Sequence, residues 1–217
     1  NGEAGPYLVE TNSRGMRDVE HAYEHNEDVF RIVALGACGT FGLGVAERDC
    51  YVSRIEDFVP NSETVNLGAI GFSADQEFIL LEKEGLRYQP DLVVQFLIKA
   101  DGRAVFYPWT PLMGSKPHLT YEDHAVTMQS ATSHFWPKVL NLSHIPWAVS
   151  SIDGWHEVFF PHAIPGNEDR FRGVAQLLLE TQTLCHNAGA EYLAVFVPEP
   201  SNVHTYSIFG DDSYTLT

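Results

Sequence analysis

Short apolar runs, each bounded by glycine or proline and separated by a helix-length stretch, constrain this chain more than any other feature. Arg31–Leu35 (RIVAL) stops at Gly36 and Thr64–Leu67 (TVNL) at Gly68; Leu92–Ile98 (LVVQFLI) follows Pro90, and Tyr192–Val197 (YLAVFV) stops at Pro198. Runs of this length suit strands buried on both faces, as parallel sheets require. Between them, Ala74–Glu84 reads as a helix with Phe78, Leu80 and Leu81 on an apolar face and a stop at Gly85. Arg48–Phe58 reads as a helix with Tyr51, Ile55 and Phe58 on one face. Phe171–Asn187 places Phe171, Val174, Leu177, Leu178, Thr181, Leu184 and Cys185 at helical spacing before Gly189. Alternating short strands and helices predict an α/β domain with a mainly parallel sheet. With 217 residues, 44% hydrophobic and 19% charged, the chain can build one substantial core and reads as a single domain, 1–217.

Two stretches stand apart. Residues 1–28 are a polar lead-in. Residues 101–169 are rich in Pro, His, Trp and Phe and show no clear period. So long a stretch is unusual inside a compact domain and reads as an insertion. Its aromatic content predicts a packed segment rather than an unfolded one.

Charge narrows the partners. The net charge of -16, from 29 acidic and 13 basic residues, argues against nucleic acid and against an anionic membrane surface. No run of about 18 apolar residues is present, so no transmembrane segment is expected. The first residues lack the basic region of a signal peptide, which leaves open an upstream signal or anchor already removed and a site of action outside the cytoplasm. Cys38, Cys50 and Cys185 form no Cys-x-x-Cys pair, so neither a zinc cluster nor an iron–sulfur centre is expected, and no cofactor is implied. His21 and His25 lie four apart beside Glu24 and Asp28, and His118, Glu122 and Asp123 form the closest local set in the insertion. Solvated acidic segments and a small aromatic core explain both sets as well, so no metal is assigned.

In an open α/β sheet, ligands bind beyond the carboxyl ends of the strands. Gly36–Gly44, Gly68–Ser73 and Lys99–Gly102 fall there. Cys38 lies two residues past the first strand. A cysteine at a helix N-terminus is a stronger nucleophile, because the positive end of the helix favours the thiolate. The competing reading is a small buried thiol in a tight turn. Thr40 is a weaker alternative. The string GACGTFGLG lacks the Gly-Lys-Ser/Thr ending of a phosphate-binding loop and contains no clean GxGxxG.

Several motifs in one order then resemble a known family. Leu35-Gly36-Ala37-Cys38-Gly39-Thr40-Phe41-Gly42-Leu43-Gly44-Val45 resembles the first block of the SGNH (GDSL-type) hydrolases, where the family has Gly-Asp-Ser. Asn12-Ser13-Arg14-Gly15-Met16-Arg17-Asp18 resembles a lead-in of one bacterial branch, and Val65–Ser73 resembles the second block. Gln76-Glu77 and Pro90–Val94 continue the match, which covers the first half of the chain well. The resemblance implies a three-layer α/β/α sandwich with a flavodoxin-like sheet, and hydrolysis of ester or acyl groups. It maps the nucleophilic serine onto Cys38, the preceding aspartate onto Ala37, and an oxyanion-binding glycine onto Gly71. The third-block asparagine maps onto Ala100, which has no side-chain donor; losing one such donor typically costs about 3 kcal/mol of transition-state stabilisation. The family's last block, an Asp-x-x-His after the final strand, has no counterpart after residue 197, so the last strand and helix are expected to be missing. Asp153-Gly154-Trp155-His156 has the spacing but precedes the 171–187 helix.

Two functions follow. In one, Cys38 is the nucleophile of an esterase or acyl hydrolase, His156 its general base, Asp153 the orienter of His156, and Gly71 an oxyanion donor; triads depend on geometry rather than chain order. In the other, the site is degenerate and the domain is a scaffold or subunit, with partners among other protein chains, one of which supplies the missing C-terminal elements. The second accounts for more departures with one cause and is preferred.

Overall fold

The computed structural model describes residues 8–98, 104–110, 114–122, 125–131 and 167–197. Four strands form one sheet: β1 (Phe30–Gly36), β2 (Ser62–Asn66), β3 (Leu92–Leu97) and, after two small hairpins, β8 (Glu191–Phe196). Their order is β2-β1-β3-β8 and every pairing is parallel. The chain is therefore an α/β fold, as the apolar runs predict. Because β2 and β3 lie on opposite sides of β1, the sheet changes direction between β1 and β3, and a crevice opens at the carboxyl ends there.

Alternate residues of each strand face opposite ways. Val33, Leu35, Val65, Leu67 and Val93 pack against Leu81 of helix α3 (Ala74–Lys83) and Cys185 of the long helix α4 (Asn167–Asn187). On the other face, Ala34 packs with Cys50, Val52 and the half-buried Phe96. Helix α3 starts where Ser73 forms a capping box with Gln76, which satisfies backbone donors that the first turn leaves free.

The stretch 48–58 departs from its expected single helix. It forms a 3-10 turn at Glu47–Asp49, a four-residue helix α2 (Tyr51–Arg54) and a second 3-10 turn at Ile55–Asp57. No side chain caps α2, and its buried residue is Val52, whereas Phe58 is 75% exposed. Strand β8 also differs from expectation. It is only partly buried, with Glu191, Leu193 and Phe196 exposed, because it is the outermost described strand.

Within the insertion, the described residues form hairpins. Strand β4 (Trp109–Thr110) pairs with β5 (Gly114–Ser115), and β6 (His118–Glu122) pairs with β7 (Ala125–Gln129), both antiparallel. Val105, Phe106 and Leu119 are buried with Leu97, Ala74 and Leu177, so this part is packed onto β3, α3 and α4.

The lead-in lies along β1 and β2 without forming a helix, so His21 and His25 do not share a helix face. Asp18 Oδ2 accepts the Asn66 N–H at 2.6 Å and contacts His21 Nε2 at 3.2 Å. His21 Nδ1 lies 3.3 Å from Glu63, which also receives Arg31 at 2.7 Å. Burial disfavours the imidazolium, but Asp18 and Glu63 outweigh it and raise the His21 pKa above 6.5. Burial likewise pushes Glu63 upward, but Arg31 and His21 prevail and hold it below 4.5. A raised histidine stabilises fully below its unfolded value and loses that contribution as pH rises through the folded one; a lowered carboxylate loses its contribution as pH falls. This cluster is thus strongest between about pH 4.5 and 6.5, the ordinary Glu and His values. Urea melts should show stability falling as pH rises above that window, with the fall reduced in His21→Gln; an unchanged slope in the variant would assign it elsewhere.

Candidate functional site

The first turn begins where β1 ends. Gly36 pairs with Phe96 across the crevice, which places the following residues at the change of strand direction. Ala37 occupies the N-cap of the short helix α1 (Cys38–Phe41) and makes no side-chain cap. A methyl group thus stands where the resembled family carries aspartate. Cys38 opens α1, is half-buried and carries a free thiol, and no side chain among the described residues hydrogen-bonds it. Cys50 and Cys185 are buried and free, and burial pushes the Cys185 thiol up to about 11, which keeps it protonated and inert.

Thr40 is buried, and its Oγ1 meets the Tyr51 hydroxyl at 2.5 Å and the Leu35 carbonyl at 3.5 Å. Its hydroxyl is committed to the turn, which removes it as a nucleophile. The Tyr51 ring stands edge-on to Phe96 at 4.6 Å. Burial raises the Tyr51 pKa, so the phenol stays neutral.

The second turn locks onto the first. Asn66 Nδ2 donates to Thr40 O at 2.9 Å, and Asn66 Oδ1 accepts the Gly68 N–H at 2.9 Å. Ala69 N–H donates to Gly36 O at 3.0 Å. A Cβ at Gly68 would lie 2.2 Å from the Phe41 nitrogen, so only glycine permits this approach. Gly71 sits in the turn closed by Phe72 N–H to Ala69 O, with φ +80°. Cys38 and Gly71 therefore belong to one interlocked pair of turns. Asp153 and His156 lie outside the described residues, as do Lys99, Ala100 and Asp101 of the third turn.

Arg17 is the residue of this region that motif reading passed over, although it stands in the quoted lead-in. Its guanidinium, 2% exposed, donates to the carbonyls of Phe41, Gly42 and Val45. The fork thereby ties the lead-in to the end of the first turn, a role that suits planar Arg rather than Lys.

The His21–His25 set does not assemble, and Asp123 of the second set lies outside the described residues. His25 Nε2 contacts the Val29 carbonyl and Asp91, apart from His21. Among the described residues no group of three His, Cys, Asp or Glu side chains is placed to hold a metal ion.

No family model matches the chain, and no curated protein matches it.

Two substitutions probe the interlock. Arg17→Ala should cost about 2–4 kcal/mol, because several buried charge-assisted bonds vanish together, and Arg17→Lys should recover little of it. Gly68→Ala should cost about 1–3 kcal/mol by overpacking against the Phe41 backbone. Chemical denaturation measures both; near-wild-type midpoints would show that the turns do not depend on this clamp.

Proposed function

We propose that this chain is an SGNH hydrolase-like domain that serves as a non-catalytic subunit, completed along β8 by another protein chain. The reading includes the three-layer, flavodoxin-like arrangement, in which a fifth strand would follow β8. The observation that carries it is the apolar surface at that edge. Leu193 is 50% exposed, Phe196 66% and Val197 43%, and Ile98 at the end of β3 is 36% exposed. Apolar side chains exposed on both faces at a strand edge, Leu193 on one and Phe196 on the other, suit pairing with a further strand and cover from each face. Ala37 and Cys38, in place of the family's aspartate and serine, agree with a site released from serine chemistry.

The half-exposed thiol at the change of strand direction supports a second reading, a cysteine acyl hydrolase. Cys38 would attack an acyl carbonyl and form a thioester that water cleaves. His156 would be the base, Asp153 its orienter, and the Gly71 N–H would face the oxyanion.

Light scattering of the native material should give a mass well above the 24.2 kDa of one chain, and Leu193→Asp should reduce it to a monomer. Short-chain ester turnover should be the same for wild type and Cys38→Ser, at background. A monomer with ester turnover that is lost in Cys38→Ser would overturn the subunit reading in favour of the hydrolase.

A further inference from the structure

The most deeply buried ion pair among the described residues lies where the insertion meets α3. Lys116 Nζ stands 2.6 Å from Asp75 Oδ2, with the side chains 1% and 0% exposed. The same nitrogen donates to the Pro117 carbonyl at 2.8 Å, which orients it. The other carboxyl oxygen, Asp75 Oδ1, receives the Ser73 hydroxyl at 2.5 Å. The neighbouring Ala74 and Leu119 belong to a buried apolar cluster with Phe106 and Leu177. Desolvation works against both charges, pushing Asp75 up and Lys116 down, so burial narrows the gap that holds the proton on Lys116. Two residues beyond Lys116, His118 Nδ1 is buried without a hydrogen-bond partner among the described residues. Burial lowers the His118 pKa below 6.5, which keeps a basic ring nitrogen available.

An amine and a carboxyl group in contact, shut off from water, with a hydroxyl on one carboxyl oxygen and an imidazole two residues along the chain whose Nδ1 is unpaired among the described residues, are the components of an amide condensation. We propose that Lys116 and Asp75 join in the folded domain through an intramolecular isopeptide bond. A proton passes from Lys116 Nζ to Asp75 Oδ2 across their 2.6 Å contact, and the freed nitrogen lone pair attacks Asp75 Cγ and forms the C–N bond. Charge develops on Oδ1, where the Ser73 hydroxyl stabilises it. His118 accepts a proton from the nitrogen and delivers it to Oδ2 as the Cγ–Oδ2 bond breaks. One water leaves, and no oxidant or co-reactant is needed. Condensation is unfavourable between free partners in water, but groups held in reacting geometry gain effective molarities on the order of 10⁵–10⁸ M. The product removes two buried charges and ties the start of the β6 hairpin covalently to the first turn of α3.

The test is the intact mass of the full-length wild-type chain, denatured and reduced. The expected value is the sequence mass less one water, with a tandem spectrum showing peptides that contain Asp75 and Lys116 joined. Lys116→Arg should give its full sequence mass, and His118→Ala should lose water more slowly after refolding. A wild-type chain at full sequence mass would leave an ion pair only and overturn the proposal. So would a water loss confined to one unjoined peptide, such as cyclisation at Asp101-Gly102 or Asp153-Gly154. Because the wild-type measurement decides, failure of a variant to fold does not affect the outcome.

Discussion

The close approach of the first two strand-end turns is the contact on which the rest of the described structure depends. With Gly68 pressed against the Thr40–Phe41 backbone and Ala69 bonded to Gly36, the ends of β1 and β2 can be related in only one way. That relation sets where Cys38 emerges, where Gly71 turns and how α3 starts from Ser73. It also explains why polar side chains concentrate here. A tight turn leaves peptide groups without strand partners, and buried peptide groups must find them. Asn66 and Arg17 supply those partners from the second strand and the lead-in.

Electrostatics organises the other end of the sheet. Arg31, on β1, reaches Glu63 and the carbonyls of Tyr88 and Glu24, and Glu63 reaches His21. In a chain of net charge -16, three cations serve as buried cross-links, while Arg48, Arg54, Lys83 and Arg87 stay at the surface. Arg17, Arg31 and Lys116 each join segments distant in sequence. Their burial is tolerable because carboxylates or several carbonyls face each of them.

Much of this fold was legible in the residues, for identifiable reasons. The four strands declared themselves because a buried strand needs a continuous apolar run, and α3 and α4 because an apolar face recurs at helical spacing. The 48–58 stretch misled because Tyr51, Ile55 and Phe58 fit one helix face while the chain breaks into three short turns around Val52. The hairpins of the insertion were hidden among aromatic and polar residues whose two-residue alternation is short. Buried charges were the least legible feature. Asp75, Glu77 and Lys116 read as solvent-facing in any hydropathy pattern, and only the folded chain brings Lys116 to Asp75 and Gln95 to Glu77. At the candidate site, the glycine-marked turns that carry Cys38 and Gly71 were readable from the sequence, with the role of Gly71 implied only by the family resemblance, whereas the clamp by Arg17 required the lead-in to fold back across the turn.

The geometry makes the first turn a firmly held structural corner and leaves the far edge of the sheet apolar and unfinished within the described residues. That contrast between a closed corner and an open edge is what supports the proposed scaffold reading. Hydrogen–deuterium exchange across β8 tests it most directly. The account predicts that Tyr192–Phe196 amides exchange faster in the isolated chain than those of β1, and that they become protected in the native assembly. Equal protection of β8 in the isolated chain and in native material would contradict it.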